Sequence, residues 1–346
     1  MSRSRPSTVV TTWSGPPDDA AIRLDLLGNP HGSSLHVLDA LAGCNDFHVP
    51  GGVRTTRLRY RVAETLGVAP ASILLGNGLE ELLSTLLLWR RSTGPIVLFP
   101  PSDVSQARHA AQHGIDVVTV RRGPSFGLDL DPETAGDLPR DAMALVDSPS
   151  DPTGSLLGSQ EAVRLSRACD LLVVDERHVD YGGRSLVPLV REFENIVVLR
   201  TFETWAGLGW LPLAYAIGPA RLMAEAAAFA PPGGPALGAV IAAAATLDDW
   251  QYMQATLRAV RAERSRLFRV LRKLNMLRPF PSWANFLLAR IERGETGAVV
   301  DELARRGIVV HRPPQPELRD FVRISATRSD QTDALRRALT DMAGSL

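Results

Sequence analysis

Residues 143–181 read MALVDSPSDPTGSLLGSQEAVRLSRACDLLVVDERHVDY. Two unbroken apolar runs, Met143–Val146 and Leu171–Val174, flank a turn-rich loop (SPSDPTG, 148–154) and a helical pattern over Gln160–Ala168. A strand without polar alternation is apolar on both faces, so both faces must be covered. That pattern belongs to a parallel sheet whose crossover connections are helices. Right-handed crossovers then place the loops that follow the strands along one edge, where α/β folds take their ligands.

The alternation extends in both directions. Runs at Ile73–Leu75, Ile96–Phe99, Val117–Val120, Ile196–Leu199 and Leu213–Ile217 complete a set of seven, with helical patterns at Thr56–Leu66, Leu79–Arg90 and Val104–His113. The expected fold class is α/β, with a mostly parallel seven-stranded central sheet in a large domain and a smaller α+β domain. Residues 1–22 read as a flexible N-terminal arm and 23–245 as the large domain. Residues 23–52, irregular and rich in turns, are assigned to the small lobe or a dimer interface. Residues 246–346 read as a long connecting helix, capped near Asp248–Asp249, and a β-α-β-β-α lobe over Asn285–Met342.

The 346 residues are 45% hydrophobic and 22% charged, an ordinary globular balance. Lys+Arg and Asp+Glu are both 38, so no basic field points to nucleic acid or to an anionic membrane. The longest apolar run, Ala236–Leu247, is shorter than the roughly 20 residues a membrane span needs. The N-terminus lacks the apolar core of a secretory signal. Cys44 and Cys169 are far apart and in no metal-ligand spacing, so no metal is expected and a reduced, cytoplasmic setting is the simplest reading. Among the 38 basic residues there is one lysine, Lys273. The chain therefore carries a single side-chain primary amine.

Seven motifs stand in order: GNPHG (28–32), VAPASILLGNGLEELL (68–83), SPSDPTG (148–154), VVDERHVDY (173–181), LRTFETWAGLGWLPLAY (199–215), ANFLLAR (284–290) and FVRIS (321–325). Together they resemble the histidinol-phosphate aminotransferase and threonine-phosphate decarboxylase branch of the fold-type-I pyridoxal-phosphate enzymes. The resemblance implies a homodimer whose sites are each completed by the neighbouring subunit. It implies that Asp175 faces the pyridine nitrogen and that Thr201 contacts the phosphate. The Gly76-Asn77-Gly78 turn, at a helix N-terminus, is a further place for an anion. It implies that Arg323 grips a substrate carboxylate, with Asn29 and Asn285 close by.

Other positions depart from the family pattern. The Schiff-base lysine matches Thr204, whose hydroxyl forms no imine. The phosphate-anchoring arginine matches Pro212, the stacking aromatic Asp103, and the ring-hydroxyl asparagine Asp151. The motif tyrosine matches His178, the serine before the lysine Glu203, and the tyrosine lent by the partner falls near His48 or Val49. On this reading no cofactor is expected, with non-covalent pyridoxal or pyridoxamine phosphate as a remnant use.

The replacements add titratable groups. Carboxylates beside imidazoles suit acid–base work, because burial and pairing split their pKa values. The candidate catalytic residues are His178, Glu203, Asp151, Asp175 and Thr204. The candidate substrate contacts are Arg323, Asn29, Asn285, Asp103, His48 and Trp205. The anion-binding candidates are Gly76, Asn77, Gly78 and Thr201. Each has a plainer alternative: Asp175 in an arginine pair, His178 as a satisfied core histidine, Glu203 bridged to Arg177 or Arg200, Asp151 in an Asx turn, Trp205 filling a vacated cavity. The expected function is acid–base catalysis (elimination, cyclisation, isomerisation or hydrolysis) on a small carboxylated, amino-acid-derived metabolite. A non-catalytic descendant that binds a metabolite or partner is the alternative.

Overall fold

In a computed structural model of the chain, residues 21–45, 48, 52–128 and 130–344 are described. Most of the expected N-terminal arm, and Val49, lie outside them. All seven expected strands form one sheet. Its order is Ile73–Gly76, Ala214–Ile217, Ile196–Thr201, Leu171–Asp175, Met143–Asp147, Ile96–Leu98, Val117–Thr119. Ala214–Ile217 runs antiparallel to both neighbours and every other pairing is parallel.

The unbroken apolar runs are explained by two cores, one on each face. Ala144, Val146, Leu172 and Val174 enter one apolar cluster. Their alternates Met143, Leu145, Leu171 and Val173 enter the other. All eight are buried, and each of the larger side chains contributes about 1.5–3 kcal/mol by leaving water. The helices Leu79–Arg90, Val104–Gln112 and Ser159–Ala168 cover the faces within a residue or two of expectation.

Leu237–Asp248 and Trp250–Lys273 are separate helices. Asp249 caps the second by accepting from the Tyr252 amide. A small lobe follows. Its sheet places Phe286–Ile291 between Leu277–Pro279 and Phe321–Ser325, over a third apolar cluster that includes Leu267 and Leu271 of the long helix. Two strands were not anticipated. Leu277–Pro279 is an edge strand ending in proline, where a missing amide costs no ladder bond. Ile22–Leu24, in the stretch read as irregular, pairs in parallel with Ile308–Val310. Among the described residues, no helix is long and apolar enough to cross a membrane.

The lobes meet at the C-terminal edge of the parallel strands. The Trp283 amide donates to the Gly154 carbonyl at 2.9 Å, and Gln315 Nε2 to the Ser102 carbonyl at 2.7 Å. Phe126 sits edge-on between Phe280 and Phe321, with ring centroids 5.1 and 5.9 Å away.

Candidate active site

Three strand ends supply the floor: Asp147, Asp175 and Thr201. Asp175 is buried. It is engaged by the chain itself. The Arg177 amide donates to Oδ1 at 3.0 Å and Arg177 Nε to Oδ2 at 2.8 Å. Arg177 Nη1 reaches Asp103 Oδ2 at 3.0 Å and lies 3.8 Å from Glu80. Burial pushes the Asp175 carboxyl up while Arg177 pulls it down; the arginine, ringed by carboxylates, is held above its ordinary value. Asp103 also caps the helix Val104–Gln112 through the Ser105 amide at 2.8 Å. Expected as a substrate contact, it is the second carboxylate on Arg177.

The second node joins the lobes. Arg323 Nη1 lies 2.6 and 2.7 Å from the two oxygens of Asp151, and Nη2 donates to the Asp25 carbonyl at 2.9 Å. Arg323 Nε is buried without a partner among the described residues. The Phe286 ring lies under the guanidinium at 5.3 Å. Asp151 is thus an ion-pair partner and not merely an Asx turn. Its amide donates to Asp147 Oδ2 at 3.0 Å, and the other Asp147 oxygen accepts from Arg122 Nη2 at 2.8 Å. Burial raises the Asp147 carboxyl to about 6 despite that arginine.

The third node is at the N-terminus of the helix Leu79–Arg90. Gly78 has φ +82°, and a Cβ there would lie 2.9 Å from Glu203 Oε1 and 3.1 Å from Pro212 Cβ. Glu203 accepts from Thr201 Oγ1 at 3.0 Å and from the Leu79 amide. Its carboxylate therefore satisfies a first-turn amide, where the helix dipole favours an anion. Burial raises its pKa, and the hydroxyl and amide oppose that shift. Neither Arg177 nor Arg200 bridges it directly; Arg200 pairs with Glu176 at 3.2 Å. Asn77, expected to bind an anion, donates its own amide to Glu81 at 2.9 Å and ties its side chain to Glu81, Gly234 and Ala236. Gly76 packs tightly on Leu82. The turn is satisfied internally.

Thr204 and His178 lie between these nodes. Thr204 Oγ1 donates to the Arg177 carbonyl at 2.6 Å, and the Thr204 carbonyl accepts from Tyr181 Oη at 3.0 Å and the Asn29 amide at 2.9 Å. His178 is 1% exposed and stands perpendicular to Phe286 at 5.4 Å. Neither ring nitrogen has a partner among the described residues. Burial first, then Arg177 and Arg323, push its pKa down to about 3. It is a neutral imidazole at neutral pH. The satisfied-core alternative does not describe it, since both nitrogens are orphaned in a polar setting.

The remaining candidates separate from the cleft chemistry. Asn29 spends its amide group on the Trp205 carbonyl at 2.8 Å and Thr256 at 3.0 Å, and its oxygen on the His31 amide. It fastens the N-terminal segment to the loop that carries Thr204. Asn285 donates to the Leu27 carbonyl at 2.6 Å, and its Oδ1 is buried without a partner among the described residues. Trp205 is 4% exposed against Phe202 and Trp250, so it fills core. His48 is exposed in a turn. Lys273 is exposed in the last turn of its helix. Sequence reasoning missed the roles of Arg122, Asp147 and Arg177. Asp147 ends a strand in register with Asp175, which was the available signal; the two arginines carried none.

The profile of the family described as aminotransferase class I and II matches residues 31–339. The histidinol-phosphate aminotransferase of Roseiflexus castenholzii is 33% identical over 340 residues, which is 95% of this chain and 91% of that protein. Histidinol-phosphate aminotransferase 1 of Arabidopsis thaliana, a chloroplastic protein, is 29% identical over 338 residues, 96% of this chain and 81% of its own length. The structure of the Sinorhizobium meliloti histidinol-phosphate aminotransferase in complex with pyridoxal-5'-phosphate superposes with TM-score 0.84 at 23% identity, covering 99% of each chain. That of Clostridium acetobutylicum gives 0.86 at 22%, covering 94% of this chain and 100% of the other.

These findings overturn the expectation that the chain has no cofactor. The relatives are histidinol-phosphate aminotransferases, and one similar structure holds pyridoxal-5'-phosphate, so the architecture points to that group. The inference from one missing amine was too strong, because non-covalent contacts also hold a cofactor. In this structure the side chains there engage one another: Asp175 holds Arg177, Glu203 lies on the Leu79 amide, and the Thr204 hydroxyl donates to a carbonyl. Fold, profile match and relatives agree, and the chain belongs to the aminotransferase class I and II family.

Proposed function

We propose that this protein binds a small carboxylated, amino-acid-derived metabolite between its lobes at Arg323, and moves a proton on it with Glu203 as acid–base group. In this reading no lysine Schiff base forms, because the loop ends on Thr204. The carrying observation is the guanidinium of Arg323, buried at the junction, holding one carboxylate through a single nitrogen while its Nε is unmatched among the described residues. Such a group is suited to a planar carboxylate. Glu203 is the cleft carboxylate held by a hydroxyl and an amide, and burial raises its pKa above the ordinary value while those two contacts oppose the shift. We further propose a homodimer, given exposed Leu35, Leu38, Val53 and Tyr60, and a reduced cytoplasmic setting.

Calorimetric titration of L-alanine and L-glutamate against their α-amides tests the ligand class. The acids should bind and the amides should not; equal binding sinks the proposal. Proton NMR in D2O then follows exchange at the α-carbon of the bound acid. A non-catalytic, metabolite-binding member is the second reading, favoured by the closed cluster Asp175–Arg177–Asp103. Binding without α-exchange would decide for it.

A further inference from the structure

We infer that Asp151 is a tethered carboxylate that competes with the ligand for Arg323, and so sets which carboxylates the cleft admits. The inference rests on the reading of Arg323 given above.

Asp151 lies on the loop after the strand Met143–Asp147, and Arg323 on the strand Phe321–Ser325 of the small lobe. Their contact spans 172 positions and crosses the junction. Both carboxylate oxygens fall on one guanidinium nitrogen, at 2.6 and 2.7 Å. A free carboxylate on the end-on fork of the guanidinium, Nη1 with Nη2, would meet the same donor, so the two cannot both occupy it. The ion pair is not needed to hold the loop: the Asp151 amide is fixed on Asp147, which Arg122 anchors at 2.8 Å. The loop is fastened to the small lobe a second time, by the Trp283 amide on the Gly154 carbonyl. The side chain of Asp151 can therefore leave Arg323 while its backbone stays in place. The incoming ligand replaces one ion pair with another, and its affinity carries only the difference. A ligand with a second polar group able to reach Arg323 Nε or His178, both buried and unpartnered among the described residues, gains contacts that Asp151 does not make. The latch thus discriminates against simple monocarboxylates in favour of acids bearing a further donor or acceptor.

Calorimetry with acetate and L-glutamate on the full chain tests this. Asp151→Asn should tighten acetate about tenfold and L-glutamate by less, narrowing the preference between them; Asp151→Ser, carried in parallel, guards against a folding defect in the amide. In an Arg323→Gln background the gain from Asp151→Asn should vanish. Unchanged acetate affinity in both folded Asp151 variants overturns the latch. Undiminished binding to Arg323→Gln itself instead places the carboxylate elsewhere and overturns the reading on which the latch rests.

Discussion

Arg177 folds back on Asp175 across the end of one strand, with its amide and its Nε on separate oxygens of the same carboxylate at 3.0 and 2.8 Å. Removing one partner of a buried pair strands the other charge. Arg177→Met should therefore destabilise the fold by roughly 3 kcal/mol. Urea denaturation checks this. Arg177→Met with Asp175→Asn should recover part of the loss, because the fully buried charge is gone and only the more exposed Asp103 is left without its arginine. A single variant as stable as the parent would show that the pair is solvated.

His178 makes stability sensitive to acid. Its folded pKa, about 3, is below the ordinary 6.5, so the native state binds fewer protons in that window. Stability contributed by neutral His178 is present above about 6.5 and is lost as pH falls toward 3. The expected loss between pH 7 and 5 is about 2 kcal/mol. Asp147, raised to about 6, has the opposite sign between about 4 and 6, so the parent alone does not isolate either group. The difference between the parent and His178→Leu, followed by denaturation at each pH, does. Parallel pH curves would refute the assignment.

Glu203→Gln keeps the shape of the group on Thr201 and the Leu79 amide and removes its proton chemistry. α-Carbon exchange in D2O should fall about a hundredfold, with ligand affinity within about twofold. An equal fall in both would mean that Glu203 binds rather than transfers a proton.

Thr204→Lys restores an amine at the loop end but leaves Glu203 on the Leu79 amide and Arg177 on Asp175. Transamination of L-glutamate with added pyridoxal phosphate should stay at background. Borohydride reduction of the parent with one equivalent of pyridoxal phosphate should leave Lys273, the one lysine of the chain, without a stoichiometric pyridoxyl adduct. A stoichiometric adduct there, read by mass spectrometry, would end the proposal that Schiff-base chemistry is lost.

The sheet was legible because its strands are local: Met143–Val146 and Leu171–Val174 announce themselves by composition alone, since burial on both faces leaves no room for polar residues. Ile22–Leu24 was not, because three residues containing Arg23 become a strand only through a partner at the far end of the chain, Ile308–Val310. The cleft was half legible. Motif order singled out Asp175, Thr201, Glu203, Asp151 and Arg323, and an arginine pair for Asp175 was among the readings, but the pairing of Asp151 with Arg323 was not. Whether Asp151 faces a ligand or Arg323 depends on how the lobes meet. In a chain with 38 basic residues, no spacing marks Arg122 as buried or Arg177 as the partner of two carboxylates. The cofactor expectation failed for a related reason, since one substitution was given the weight of a whole site.

The parallel pairing of Ile22–Leu24 with Ile308–Val310 has a consequence for biosynthesis. The chain emerges from the ribosome N-terminus first, at about 5–20 residues per second. The segment around Leu24 then waits some tens of seconds for its neighbour. The central sheet, complete at Ile217, can form in that interval, and the lobe that joins Ile22–Leu24 to Ile308–Val310 is assembled last.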